Sequence, residues 1–335
     1  MLTAESRRGD LLLEVRGLTV DYATGGTPVR AVDGVDLDVH AGEFVGIVGE
    51  SGCGKSTLLF AIAQLLSPPA GITGGSVVFH GQNLVTLNDR ELAPTRWRNL
   101  SVVMQSAMNA LNPVKQIGAQ FKDVMRAHGE RSARVIAERS AEVMRLVGID
   151  AVHLKSYPHQ LSGGMRQRSM IAMALLFTPD LVIMDEPTSA LDVVAQRSLM
   201  LQIKELQREL GFAVVFVTHD MSLVSHFSDR LMVMYAGQTV EFGDTRQVFD
   251  RPAHPYSAGL LDAFPSIRGP RVDLLGIPGS PPNLAAPPPG CRFEPRCPRR
   301  FDACTTVVPP LYDVRSVQAR CLLHDPELAP QAVAR

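Results

Sequence analysis

The chain has 335 residues, 45% of them hydrophobic, enough for a main domain with its own core plus an extension. Lys and Arg total 33 against 34 Asp and Glu, for a net charge of -1, which argues against a nucleic-acid binder because such proteins are usually basic. The opening MLTAESRRGD is polar with no signal-peptide pattern, and the longest apolar stretches, such as Met170 to Phe177, are too short to cross a bilayer. We therefore expect a soluble intracellular protein that reaches a membrane only by docking onto other subunits.

In chain order, LLLEVRGLTVDY (Leu11 to Tyr22) is rich in β-formers and predicts a strand, and the alternation over Val35 to Val39 predicts another. The apolar run Glu43 to Val48 feeds a glycine-rich loop, after which Ser56 to Leu66 reads as a helix. The stretch from Pro94 to Pro158 reads as mostly helical, for example Arg131 to Val147, and so as an inserted helical subdomain. Three later runs, Leu181 to Met184, Ala213 to Thr218 and Leu231 to Met234, have the length of buried parallel strands, with a helix over Ala195 to Leu210 between the first two. Strands alternating with helices predict an α/β core. Beyond about Arg251 the texture changes. Gly276 to Gly290 carries prolines at 278, 281, 282, 287, 288 and 289 and reads as a semi-rigid connection. The expected division is a core of residues 1–93 and 159–250, a helical subdomain of 94–158 and an extension of 251–335.

The strongest chemical signal is GESGCGKST: Gly49, Glu50, Ser51, Gly52, Cys53, Gly54, Lys55, Ser56 and Thr57. It matches G-x-x-x-x-G-K-[ST] between a predicted strand and a predicted helix, the context such a loop needs. Its glycines let backbone N–H groups wrap the phosphates of ATP, and the helix N-terminus adds its positive end. Lys55 is expected to reach the β- and γ-phosphates and Ser56 to ligate Mg²⁺. Cys53 fills a variable slot and reads as a small loop residue. The run LVIMDEP follows the logic of other P-loop enzymes, with Asp185 holding Mg²⁺ through water and Glu186 acting as general base. In LSGGMRQR, Ser162 before Gly163, Gly164 and Met165 reads as the capped start of a helix running to Phe177.

Together these motifs resemble the ATP-binding cassettes of ABC transporters, the third being their signature motif. The resemblance implies a P-loop NTPase of ABC type, with a RecA-like core, N-terminal antiparallel strands, the inserted helical subdomain and a small loop-rich C-terminal extension. It also implies that the signature of one cassette closes over ATP held by its partner, Ser162 and the N–H groups of Gly163 and Gly164 facing a γ-phosphate. Other positions match by resemblance. Gln105 stands where the Q-loop glutamine senses Mg²⁺ and contacts membrane subunits. Ser189 to Asp192 resembles the D-loop across the dimer interface, His219 the switch histidine at the γ-phosphate, and Tyr22 the aromatic residue that stacks on adenine.

Met165, where glutamine is usual, makes the signature resemble one of the two ATPase subunits of dipeptide and oligopeptide importers. SAMNALNPVKQIGAQ and His254 to Ser257 (HPYS) point the same way. Of five cysteines, Cys291, Cys297, Cys304 and Cys321 cluster in the tail as C-x5-C-x6-C-x16-C. Four thiolates suit zinc or an iron–sulfur cluster, and zinc favours close C-x2-4-C pairs, which are absent from this pattern. The importer resemblance implies a [4Fe-4S] cluster, with zinc the alternative and unliganded cysteines a third reading. Arg292, Arg296, Arg299 and Arg300 are expected to offset the charge of either metal site. The ATP motifs all lie upstream, so the tail is assigned a structural or docking role.

The resemblance further implies a second, homologous ATPase subunit as heterodimer partner, two transmembrane permeases, an indirect link to an extracytoplasmic peptide-binding protein, and a place on the cytoplasmic face of the plasma (inner) membrane. No nucleic-acid partner is expected. The alternatives are a soluble ABC ATPase acting on nucleic acid or ribosomes, an exporter ATPase, and an importer of nickel or another solute. Lys55→Ala is expected to abolish ATP binding or turnover, because the cationic contact to the phosphates is lost. Equilibrium ATP binding and turnover check this, and unchanged affinity together with unchanged turnover would contradict it.

Overall fold

Apolar runs of about five residues, too short for helices, become wholly buried strands in this computed structural model, which describes residues 9–104, 110–189, 191–263 and 276–330. The chain divides into two compact units, one comprising Met1–Leu13, Val39–Phe44 and Phe79–Val217, the other Glu14–Asp38, Val45–Val78 and Thr218–Arg335.

In the first unit, strands Leu100–Val103, Leu181–Asp185 and Ala213–Val217 run parallel, with Leu100 opposite Leu181 and Leu181 opposite Ala213. Burial on both faces explains why the last two read as continuous apolar runs. Helices Ile117–Ala127 and Ala133–Leu146 pack together, burying Ile117, Phe121 and Met125 from one and Ile136, Val143 and Met144 from the other. Leu100–Val103 falls inside the stretch read as helical. At four residues, its pattern is too short to separate strand from helix.

Helix Gly163–Ala174 starts at Ser162, whose Oγ accepts the Met165 N–H at 3.2 Å. It stops short of Phe177, and three side chains satisfy the carbonyls at its far end. Trp97 Nε1–H donates to Met173 O at 2.9 Å and Ser101 Oγ to Ala174 O at 2.8 Å. Arg139, on the helix Ala133–Leu146, donates to Leu175 O and Leu176 O at 2.8 Å each and to Thr178 Oγ1 at 2.7 Å. The cation also suits the negative end of the helix dipole.

In the second unit, strand Phe44–Val48 leads through Gly49–Gly54 into helix Lys55–Ile62. The helix is shorter than Ser56 to Leu66. Gln64 takes left-handed backbone (φ 55°) and its Nε2 donates back to Ala61 O at 2.7 Å, ending the helix. Val45–Val48 lies parallel to Arg230–Val233, and strand Gln238–Asp244 returns antiparallel beside Arg230–Tyr235. The first two long strands, Leu11–Tyr22 and Val29–His40, pair in a separate sheet that also holds Ala70–Phe79.

The tail is less detached than its composition suggests. Val317–Ala319 pairs antiparallel with Glu241–Gly243, and Tyr312–Val314 pairs with Val317–Ala319. Two three-residue strands around Arg315 (φ 58°) leave almost no periodic signal. Helix Pro255–Asp262 is fixed by the HPYS segment, where His254 Nδ1 accepts the Tyr256 N–H at 3.0 Å. The buried Glu241 carboxylate accepts the Ala253 and His254 N–H groups at 2.8 and 3.0 Å. Burial holds the His254 ring neutral, its pKa pushed down to about 3. No helix among the described residues is long and apolar enough to cross a membrane.

Arg139→Ala is expected to lower stability by about 2 kcal/mol, because it leaves helix-terminal carbonyls without their charged donor. Urea denaturation of the variant against the parent chain checks this, and an unchanged midpoint would count against the cap.

Candidate functional site

The loop at the end of strand Phe44–Val48 is shaped by two glycines. At Gly49 (φ 153°) a Cβ would stand 2.2 Å from Met234 O. At Gly54 (φ 103°) it would stand 2.2 Å from Ala31 O. No side chain caps the helix that follows, since its N-cap is Gly54, so its first turn suits an anion. Lys55 is buried at 7% exposure, and its Nζ donates to Gly49 O at 2.8 Å and Glu50 O at 2.9 Å. Tyr22 and Thr57 share a hydrogen bond of 3.1 Å between their hydroxyls. Cys53 is buried, and desolvation raises its thiol pKa against the pull of the Lys55 ammonium, so it stays protonated. His219 is exposed beside Asp220, whose carboxylate caps the helix Met221–Phe227.

The first unit carries the carboxylates. Asp185 closes the buried strand Leu181–Asp185 at 2% exposure, and Glu186 follows in left-handed backbone (φ 45°), its N–H donating to Val217 O at 3.0 Å. A non-glycine residue held there is strained, and such strain clusters at functional sites. Ser162 is exposed, with Gly163, Gly164 and Met165 half-buried in the first helical turn. Asp192 is exposed and caps helix Val193–Leu210, accepting the Ala195 N–H at 2.8 Å. Gln105 lies outside the described residues.

Cys304 and Cys321 are buried at 8% exposure each, Cys291 and Cys297 are half-buried, and all four are free thiols. Cys291 N–H donates to Cys304 O at 2.9 Å. Burial pushes the Cys291 thiol up to about 11 and Cys321 to about 12, and in both cases the other three or two cysteines of the set add to the rise. Cys291 and Cys321 therefore feel other cysteines of the set. Among the described residues, however, no three His, Cys, Asp or Glu side chains converge to hold a metal ion, so neither zinc nor a cluster gains direct support.

The basic residues around the cysteines need a correction. Arg292 pairs with Asp33 at 2.5 Å and also donates to Ala236 O, Arg296 pairs with Glu50 at 2.7 Å, and Arg300 pairs with Glu294 at 3.1 Å. Three of the four arginines thus neutralise carboxylates instead of a metal site. Arg299 alone acts on a thiol, lowering the Cys297 pKa against the dominant effect of burial. Sequence reasoning also missed Tyr256 as a loop contact, although HPYS flagged the segment. Its hydroxyl accepts the Glu50 N–H at 2.9 Å.

Comparison with known proteins matches the families "ABC transporter" over residues 32–189, "Oligopeptide/dipeptide transporter, C-terminal region" over residues 240–304 and "AAA domain, putative AbiEii toxin, Type IV TA system" over residues 154–225. The oligopeptide transport ATP-binding protein OppD of Salmonella typhimurium is 44% identical over 92% of each chain. The dipeptide transport ATP-binding protein DppD of Bacillus subtilis is 42% identical over 89% of this chain and 90% of its own. Among solved structures, the dimeric bacterial ABC transporter cassette MJ0796 aligns with a TM-score of 0.64 at 30% identity, covering 70% of this chain and 99% of the other. The fold is that of the ABC ATPases.

Gly54→Ala is expected to lose nucleotide binding and about 2 kcal/mol or more of stability, because the new Cβ meets Ala31 O in a backbone region closed to alanine. Paired binding and thermal-unfolding measurements check this; wild-type values in both would contradict it.

Proposed function

We propose, because this chain belongs to the ATP-binding subunits of the oligopeptide/dipeptide ABC transporter family, that it energises the import of peptides by hydrolysing ATP held in the loop Gly49–Thr57. The observation that carries this reading is the strand–loop–helix cradle in a chain similar to named peptide-transport ATPases along nearly its whole length.

In this reading, the N–H groups of Gly49 to Thr57 surround the phosphates, Lys55 leaves the loop carbonyls for the β- and γ-phosphates, and Tyr22 stacks on adenine. Ser56, Gln105 and, through water, Asp185 would hold Mg²⁺, which would offset charge on the transferred phosphoryl group. Glu186 orients and deprotonates the attacking water, and His219 contacts the γ-phosphate. Ser162, Gly163, Gly164, Met165 and Asp192 face the nucleotide of a partner cassette. The exposure of Ser162 and Asp192 in the single chain supports that assignment. The partner is a second, homologous ATPase, and both dock on two permeases at the cytoplasmic face of the membrane, served from outside by a peptide-binding protein. Residues 1–93 and 159–250 form the nucleotide-binding core, 94–158 the helical subdomain and 251–335 the extension.

The tail cysteines are assigned a [4Fe-4S] cluster. In such a cluster each thiolate binds its own iron, and the spacing C-x5-C-x6-C-x16-C lacks the close C-x2-4-C pairs that zinc favours. Cys291, Cys297, Cys304 and Cys321 would hold it, and it would tie the tail's loops together. Deprotonating the raised thiols makes cluster loading weaker as pH falls.

Glu186→Gln is expected to bind ATP at near wild-type affinity while turnover in the assembled transporter falls at least 100-fold, since the base is lost and the cradle kept. Wild-type turnover would sink the assignment. Iron and labile-sulfide analysis of anaerobically purified protein should give about four of each per chain. Zinc alone, or four thiols open to alkylation in the native protein, would remove the cluster.

A further inference from the structure

Arg296 is the most heavily engaged side chain in the tail. It sits on the short turn Glu294–Arg296 between two cysteines, with Glu294 N–H donating to Cys291 O and Cys297 N–H donating to Glu294 O. Its side chain is 5% exposed. Nη1 donates to Glu50 Oε2 at 2.7 Å and Tyr235 Oη at 3.3 Å. Nη2 donates to Glu50 Oε1 at 2.9 Å and Ile277 O at 3.2 Å. Nε donates to Pro278 O at 2.8 Å. The guanidinium also lies over the Tyr235 ring, 5.7 Å from its centre. A planar fork with all its donor nitrogens used, two of them on one carboxylate, has a single geometry.

Glu50, its partner, is the second residue of the phosphate loop. Both carboxylate oxygens are taken by Arg296 and its N–H by Tyr256 Oη, so two residues of the extension grip it. Only its carbonyl faces back into the loop, where it accepts from Lys55 Nζ at 2.9 Å beside Gly49 O at 2.8 Å. Glu50, whose carbonyl holds the Lys55 ammonium beside that of Gly49, is thus anchored at its N–H and its carboxylate by the extension. Loss of Glu50 would leave the buried Arg296 guanidinium charged without its carboxylate partner.

We propose that Arg296 is a positioning residue for the ATP loop: by locking Glu50 it fixes the shape of the cradle around Lys55, so the cysteine-bearing tail contributes to nucleotide affinity. The inference rests on reading Gly49–Thr57 as the ATP cradle. It adds nucleotide affinity to the mainly structural or docking role, with no part in phosphoryl transfer, that the sequence assigned to the tail.

The test compares full-length Arg296→Gln, Arg296→Lys, Glu50→Gln, the Arg296→Gln/Glu50→Gln double variant, Lys55→Ala, and Arg300→Ala, whose pair with Glu294 is exposed on the arginine side. Mg-ATP binding is measured by calorimetry on the chain, and turnover in the assembled transporter. Arg296→Gln should weaken the Kd roughly tenfold and raise KM for ATP with kcat little changed, Arg296→Lys should recover part of the loss, and Arg300→Ala should match wild type. The double variant should be no worse than the weaker single variant, because one interaction is removed in each. A merely structural role would lower the active fraction, so kcat would fall at unchanged KM, and that result overturns the proposal. Wild-type Kd in Arg296→Gln, or effects that add in the double variant, also overturn it. Should Arg296→Gln fail to fold, Glu50→Gln decides alone, since its carboxylate is partly exposed, and an unchanged Kd counts against the proposal. Unchanged binding in Lys55→Ala would instead defeat the reading of the loop as the ATP cradle.

Discussion

Backbone packed against backbone at Gly49 and Gly54 is the constraint from which the rest of the second unit follows. With Met234 O and Ala31 O each 2.2 Å from where a Cβ would be, the loop has no room to widen. Its N–H groups are kept in a narrow arc ahead of the helix Lys55–Ile62, the arrangement that suits phosphate oxygens. The same closeness fixes neighbours. Gly237 N–H donates to Cys53 O at 2.9 Å, and Asp33 N–H to Gly237 O at 2.8 Å, so the turn after strand Arg230–Tyr235 braces the loop from behind.

Charges in this unit are placed where burial makes them directional. Lys55 and Arg296 are both nearly enclosed, yet each has its donors satisfied by loop groups. Asp33 plays a similar part at the other end of the tail, accepting from Arg292 Nη2 at 2.5 Å and Gln238 Nε2 at 2.9 Å. Exposed pairs of the same chemistry, such as Arg134 with Glu138 at 3.8 Å, contribute little beside these. Cys291 and Cys321 show the opposite regime: desolvation outweighs every other influence on them and raises both thiols.

The phosphate loop, the Asp185–Glu186 pair and the Ser162 cap were legible because each is encoded within about ten consecutive residues by turn, strand and cap chemistry. The strand Leu100–Val103 was not, since four residues of mixed character carry no period, and its identity comes from pairing with Leu181–Met184. Arg296 was visible only as one of four arginines among cysteines. Its true partner lies 246 residues earlier, and nothing local to either residue marks the pair. The tail's short strands escaped for a similar reason, their registry being set by Glu241–Gly243 rather than by their own three-residue patterns. The roles proposed for His219 and Tyr22 rest on the family resemblance alone, since their surroundings in the single chain would pass for ordinary surface and strand positions.

The pairing of Val317–Ala319 with Glu241–Gly243 has a consequence for aggregation. Without it, the Gln238–Asp244 strand, buried along six of its seven residues, would offer open backbone N–H and C=O groups, the kind of template on which chains join edge to edge. The last strands displace that edge to Tyr312–Val314, only three residues long and carrying Asp313. A short, charged border recruits strangers poorly. The tail thus seals the sheet as well as gripping the loop, and a chain cut before Tyr312 would lose its solubility along with its final strands.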